Sequence, residues 1–402
     1  MKKYRNDFLL ALATAVFMSA FIYLGAYDIT LPLLNSVCAL GALGLFLYIP
    51  KRAVLIAGFL IGLFWFYWIG YSFKYQGVGY MTPIVTVGFG FIYLLFFAPL
   101  ALTNKPYIRA ILLFGLSFVE PFDWNWMKIE LLFVDSYFGI YKYQLAIILT
   151  ALALPSLVKE QKYKLVPLAL LLFALQWHYK QPPLAPLKIK LVQTDVPQEK
   201  KWLYSELYPT IAMIFQEIQK ARDEKYDVIV LPESVFPLFM NKNPKLQKQL
   251  EELSHDIAIV TGTLYRKDGL NYNVTYTFDD GKVQIAKKLV LVPFGEYIPL
   301  PKFAQKFIND TFFSGASDFV TAKHPTDIFL KGVKFRNAIC YEATCDEVYA
   351  GDVKYVIAVS NNAWFIPSIE PTLQRILMKF YARKYGVIIY HSANAAGTGV
   401  VF

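Results

Sequence analysis

Two kinds of hydrophobic pattern meet near residue 180. Before it, apolar residues run on with few breaks, over 8–26, 29–49, 53–73, 81–102, 107–119, 143–158 and 165–177. A helix needs about 20 apolar residues to cross the hydrocarbon layer of a membrane. The runs therefore predict a bundle of about seven transmembrane helices over residues 1–180. Pro32, Gly58, Pro83 and Pro167 fall inside them, which lipid-embedded helices tolerate.

After Gln181-Pro182-Pro183 and Pro186, a stiff linker over 181–186, the pattern shortens and begins to alternate. Residues 188–194 alternate like a half-buried strand, and 204–224 repeat Leu207, Ile211, Ile214, Phe215 and Ile218 at helical spacing. The run 228–231 is continuous and mostly β-branched, as in a strand covered on both faces. Further strands are expected at 257–264, 272–278, 283–291, 334–340, 355–360 and 387–392, with helices at 245–254 and 371–385. Asp279-Asp280-Gly281 reads as a hairpin turn. This alternation over 187–402 predicts a layered α/β domain with one large core.

Composition sharpens the division. The 402 residues are 56% hydrophobic and 17% charged, which excludes intrinsic disorder; a mean hydropathy of +0.38 argues against a purely cytosolic protein. Residues 1–186 carry 14 Lys/Arg against 7 Asp/Glu, while 187–402 carry 26 against 23. A basic excess lying between apolar runs indicates membrane topology rather than nucleic-acid binding. With the N-terminus inside, ten basic residues (Lys2, Lys3, Arg5, Lys51, Arg52, Lys105, Arg109, Lys159, Lys162, Lys164) fall in inner segments and three (Lys74, Lys128, Lys142) in outer loops. Seven crossings then place everything after residue 180 outside. Glu120 ends the fifth run, and Trp124, Trp126, Tyr137 and Tyr141 in the next loop suit an interfacial belt. Three cysteines, Cys38, Cys340 and Cys345, are too few for a disulfide scaffold or a four-ligand zinc site.

Three polar residues in mostly apolar sequence stand where α/β sheets place their chemistry. Glu233 follows the buried strand in VIVLPESVFP, Lys288 lies in the strand leading into LVPFGEYIP, and Cys340 closes the strand in FRNAICYEAT. A thiol attacks an acyl carbonyl only as a thiolate and needs a base or a cation nearby. Glu233 can take the proton, with Glu296 or Glu342 as a second carboxylate to raise its basicity. Lys288 and the backbone N–H after Cys340 can hold the oxyanion. Each residue alone has a plainer reading: a packed cysteine, a solvated loop glutamate, an edge-strand lysine. His391 is the rival partner for Cys340, and Cys345 could bind it in a disulfide.

Together LPES, KxxLVPFGEYIP, ICYE and SNNAWF resemble the apolipoprotein N-acyltransferase family, membrane enzymes with a nitrilase-like domain, over nearly the whole chain. The resemblance implies an α-β-β-α sandwich behind the helical bundle. It makes Glu233 the base, Lys288 the oxyanion lysine and Cys340 the nucleophile. Glu296, Tyr341, Glu342 and Trp202 become supporting residues, and Tyr272 and Asn273 a structural motif. It also implies an inner-membrane enzyme with a periplasmic catalytic domain. That enzyme would move an acyl chain from a phospholipid, through a Cys340 thioester, to the amine of a diacylglyceryl-modified apolipoprotein, with no metal or other cofactor. The apolar segments around Phe312 and Phe313 and around Trp364 and Phe365 are expected to meet lipid.

The sequence departs from the family pattern at Ile366, at YARKYGV around Arg383, and at Asn394-Ala395-Ala396; many members also carry a further C-terminal span. Two other readings remain open: a membrane-tethered amidase that sends the thioester to water, and a scaffold that binds lipoproteins without catalysis.

Overall fold

The computed structural model describes residues 2–177, 179–293, 295–297 and 319–402. The chain divides into two compact units, Met1–Lys180 and Gln181–Phe402.

The first unit is helical. Its α-helices are α1 (Lys2–Ala26), α2 (Pro32–Tyr48), α3 (Lys51–Phe66), α4 (Ser72–Tyr75), α5 (Thr82–Phe97), α6 (Pro106–Leu116) and α7 (Lys142–Ala153). Short 3-10 turns extend α3 into α4 and carry α5 onward, so three stretches are long and apolar enough to cross a membrane: Tyr4–Ala26, Lys51–Tyr75 and Gly79–Leu102. Pro32–Tyr48 and Pro106–Leu116 are shorter apolar helices. The run at 143–158 stops being α-helical at Ala153, two residues before Pro155, and the run at 165–177 is a nine-residue 3-10 helix, Val166–Ala174. Proline removes a donor and clashes with the preceding turn. At about 2.0 Å per residue, nine 3-10 residues reach only about 18 Å.

Small residues let α3 and α5 pack closely. A Cβ on Gly62 would lie 2.4 Å from the Phe89 carbonyl oxygen, so only glycine fits there. Arg109 lies in the first turn of α6. Its guanidinium is buried and donates to the carbonyls of Phe46, Leu47 and Ile49 at the end of α2, and to those of Leu100 and Thr103. Trp124 and Trp126 are buried against Trp68, whereas Tyr137 and Tyr141 are exposed, so only the tyrosines fit the expected belt. Glu120 pairs with Lys128 at 2.6 Å, and Glu130 with Lys142 at 2.5 Å.

The second unit stacks two five-stranded sheets. One runs β1 (Ile189–Leu191), β2 (Val228–Val230), β3 (Ala258–Lys267), β4 (Leu270–Asp279), β5 (Lys282–Lys287). The other runs β10 (Gly399–Val401), β9 (Ile388–Asn394), β8 (Tyr355–Asn361), β7 (Val333–Ile339), β6 (Asp327–Leu330). β1, β2 and β3 are parallel, as are β7, β8 and β9; the remaining pairs are antiparallel.

Strand alternation explains the layers. Val228 and Val230 point into a core shared with Ile339, Ile357, Val359 and Ile388 of the second sheet. Ile229 and Leu231 point the other way, onto Ile214 and Ile218 of α8 (Tyr204–Asp223) and Leu250 of α9 (Pro244–Leu253). Helix α10 (Glu370–Tyr385) packs against β9, β10 and the turn that follows β7. The result is the α-β-β-α sandwich.

Candidate active site

The parallel strands of both sheets end at a common polar edge. β2 runs into Leu231-Pro232-Glu233, and the backbone turns at Ser234 with φ +47°. Gly262 on β3 makes room for that turn: a Cβ there would come within 2.5 Å of the Glu233 Cα. Glu233 is buried, and its Oε1 accepts a 2.8 Å hydrogen bond from Asn273 Nδ2.

Lys288 sits one residue past the end of β5 rather than inside the strand, and it is buried. Its backbone N–H donates to the Asn273 carbonyl. Its Nζ donates to Glu296 at 2.8 Å and lies 3.9 Å from Glu233 Oε1. Burial works against its charge, but Glu296 and then Glu233 outweigh it, so the lysine is held more firmly protonated than usual.

Cys340 follows β7 and adopts φ +56°, a left-handed conformation costly for a side-chain-bearing residue. It opens the 3-10 turn Cys340–Thr344. Burial pushes its thiol up, the Glu233 carboxylate adds to this, and Lys288 opposes it. Cys340 is therefore a thiol at rest rather than a standing thiolate. Ionisation must accompany attack, with the base close at hand.

Glu342 ties the pieces together. Its Oε2 accepts from the Leu289 and Val290 N–H groups at 2.6 and 3.1 Å, and its Oε1 from the Ile339 N–H at 2.6 Å. Burial raises it to about 7, against the pull of Lys288 and of these donors. Glu296 is anchored by the Val292 N–H at 2.8 Å and faces Lys288. So the two extra carboxylates have distinct stations: Glu296 on the lysine, Glu342 on the backbone that carries it. Tyr341 is buried beside the sulfur-bearing residue, Trp364 and Phe365 are half-buried after β8, and Trp202 is half-exposed just before α8. Phe312 and Phe313 lie outside the described residues.

The rivals for Cys340 are otherwise engaged. His391 is buried in β9, with Nδ1 at 2.8 Å from the Gly397 carbonyl and Nε2 at 2.8 Å from Ser360 Oγ. Burial lowers it to about 4, so it is neutral at neutral pH. Cys345 is not joined to Cys340 in a disulfide, and its Sγ donates to the Tyr341 carbonyl oxygen at 3.5 Å. Among the described residues, no group of three His, Cys, Asp or Glu side chains could hold a metal ion.

Sequence reasoning missed two buried ionisable residues. Lys201 donates to the Glu233 carbonyl oxygen at 2.9 Å; burial lowers it to about 8, against attraction to Glu233 and Cys340. Glu370 opens α10, and burial raises its carboxyl well above the usual range. Lys201 sits in the polar run QEKKW, which reads as a solvated loop, and Glu370 precedes Pro371, which reads as an ordinary helix start.

Residues 188–398 match the carbon-nitrogen hydrolase family model, and residues 5–177 match the apolipoprotein N-acyltransferase integral membrane domain. Fold and sequence thus define the class, a membrane-bound member of the carbon-nitrogen hydrolases. The chain is 41% identical to the apolipoprotein N-acyltransferase of Wolinella succinogenes over 98% of this chain and 95% of that one. It is 38% identical to the Helicobacter pylori enzyme of the same name, over 97% and 93%. It belongs to the apolipoprotein N-acyltransferase family and is an enzyme. Among solved structures, a CN-hydrolase superfamily protein from Xanthomonas campestris is similar at 14% identity, over 52% of this chain and 76% of that one, with TM-score 0.40. An amidase from Nesterenkonia sp. AN1 is similar at 15% identity, over 53% and 81%, with TM-score 0.39.

Proposed function

We propose that this chain N-acylates apolipoproteins in two steps, with Cys340 as acyl carrier, Glu233 as base and Lys288 as oxyanion partner. Asn273 occupies Glu233 Oε1, which leaves Oε2 to take the thiol proton as sulfur attacks the ester carbonyl of a phospholipid. The tetrahedral oxyanion is met by the Lys288 ammonium and the Tyr341 N–H. Glu233 returns the proton to the departing glycerol oxygen, and a lysophospholipid leaves a Cys340 thioester.

In the second step the amine of a diacylglyceryl-modified cysteine attacks that thioester. The N–C bond forms, the C–S bond breaks, and Cys340 recovers a proton. Glu296 holds Lys288 in place, and Glu342 fixes the 289–290 backbone against the nucleophile turn. Trp202, Tyr341, Trp364 and Phe365 border the entry for acyl chains, where excluding water keeps the thioester from hydrolysis. The enzyme resides in the inner membrane, with the hydrolase-type unit on the periplasmic side. The lysine–glutamate couple converging on a cysteine in a left-handed turn is the observation that carries this reading.

Intact-mass analysis of the purified protein tests it. A fatty-acyl adduct is expected on the wild type and is expected to vanish in Cys340→Ala. Release of free fatty acid, without any N-acyl peptide when a diacylated lipopeptide is supplied, would instead indicate a hydrolase.

A further inference from the structure

Beside the nucleophile lies a group of buried polar atoms that the steps above do not use. Asn362, just past β8, and Glu370 and Gln374 of α10 are each 1% exposed. Glu370 and Gln374 stand four residues apart, on one face of the helix. Asn362 Nδ2 donates to Gln374 Oε1 at 3.0 Å and to the Ala396 carbonyl at 2.9 Å, which ties Asn362 to the helix one turn beyond Glu370. Yet Asn362 Oδ1, Glu370 Oε2 and Gln374 Nε2 have no hydrogen-bond partner among the described residues.

The cluster borders Cys340. β7 and β8 are parallel with Ile339 opposite Val359, so Cys340 and Asn362 leave the same edge of the sheet. α10 packs on the Cys340–Thr344 turn, near enough that Glu370, were it ionised, would push the Cys340 thiol further up. A buried polar group left unmatched costs about 1–3 kcal/mol, and an N-terminal residue would match all three. Its amine offers N–H donors to Asn362 Oδ1 and Glu370 Oε2, and its carbonyl, two bonds away from the nitrogen, accepts from Gln374 Nε2. The scissile ester of a phospholipid carries no N–H and cannot satisfy the two acceptors.

We propose that Glu370, flanked by Asn362 and Gln374, is the subsite that receives the amino group of the acyl acceptor in the second half-reaction. This rests on the reading of Cys340 as the acyl carrier. The acceptor enters as the free amine, its ammonium proton left to solvent, and meets Glu370 as the neutral acid that burial favours, so the nitrogen lone pair stays free to attack the thioester. The proton that the nitrogen loses as the amide forms reaches the departing Cys340 sulfur by way of Glu233.

The test separates the two half-reactions. Glu370→Gln in the full chain is loaded with phospholipid, and the Cys340 adduct is followed by intact mass. A synthetic diacylglyceryl-cysteine lipopeptide is then added at increasing concentration. Adduct formation is expected to match wild type within about twofold, while the lipopeptide needed for half-maximal transfer rises about tenfold, the scale of a buried polar group left unmatched. Melting should be no lower than wild type, because a buried, unmatched carboxyl has been removed. Wild-type saturation by lipopeptide, or an equal loss in both half-reactions, overturns the proposal. Should the glutamine variant fail to fold, Glu370→Ala is read in the same way. Persistence of the adduct in Cys340→Ala would sink the acyl-carrier reading itself, whatever Glu370 does.

Discussion

At the scale of single residues, the site is decided by how buried groups are partnered. Cys340 is kept a thiol by burial and by Glu233, Lys288 is kept charged by Glu296 and Glu233, and His391 is kept neutral by burial. The histidine yields a prediction with a sign. Its ordinary value of 6.5 falls to about 4 in the fold, so the unfolded chain binds a proton before the folded one does. His391 therefore favours folding fully above 6.5 and progressively less as pH drops toward 4, by a total on the order of 3 kcal/mol. In His391→Asn that term is absent, so the melting gap between wild type and variant should shrink as pH is lowered from 7 to 4. The same variant should still load acyl chain onto Cys340. Loss of the adduct with melting unchanged would make His391 the base after all.

At the scale of elements, the site depends on where strands stop. Glu233 and Cys340 both follow parallel strands, and both segments turn through positive φ, at Ser234 and at Cys340. Gly262 on β3 gives the first of these turns its clearance. Gly262→Ala must push the Glu233 backbone aside, and overpacking of this kind costs about 1–3 kcal/mol. The expected result is a lower melting temperature together with slowed acyl loading of Cys340; unchanged loading would show that Glu233 tolerates displacement.

This edge was partly legible in the sequence. The β-branched run at 228–231 and the spacing of α8 announce their burial directly, and Asp279-Asp280-Gly281 forms the expected turn, with φ +49° at Asp280 and +72° at Gly281. The short strands β6 and β10 were not foreseen, because three or four residues carry too little periodicity. Nor were Lys201 and Glu370 foreseen as buried, since a charged residue reads as solvated until its tertiary surroundings are known. Asn273 was placed in a structural motif, but its grip on the Glu233 carboxylate depends on β3 and β4 lying side by side.

At the scale of the whole molecule, topology turns on an odd or even number of crossings. Three stretches are long and apolar enough to span a membrane, and two more helices are apolar but shorter. Adding α7 and the run ending at Ala174 makes seven. Three, five and seven are odd counts and would send Gln181–Phe402 to the side opposite the N-terminus, whereas four or six would not. The charge bias is one residue weaker than the sequence suggests, because Arg109 is spent on the carbonyls at the end of α2. Nine basic residues remain against three, still the bias that an inside N-terminus would carry. The exposed turn between β3 and β4 offers a reporter position at Asp268. In a background carrying Cys38→Ser, Asp268→Cys should react in intact cells with a thiol reagent small enough to enter the periplasm but unable to cross the inner membrane. Labelling that appears only after the inner membrane is opened would mean an even number of crossings, and would put the acyl-transfer chemistry on the cytosolic face.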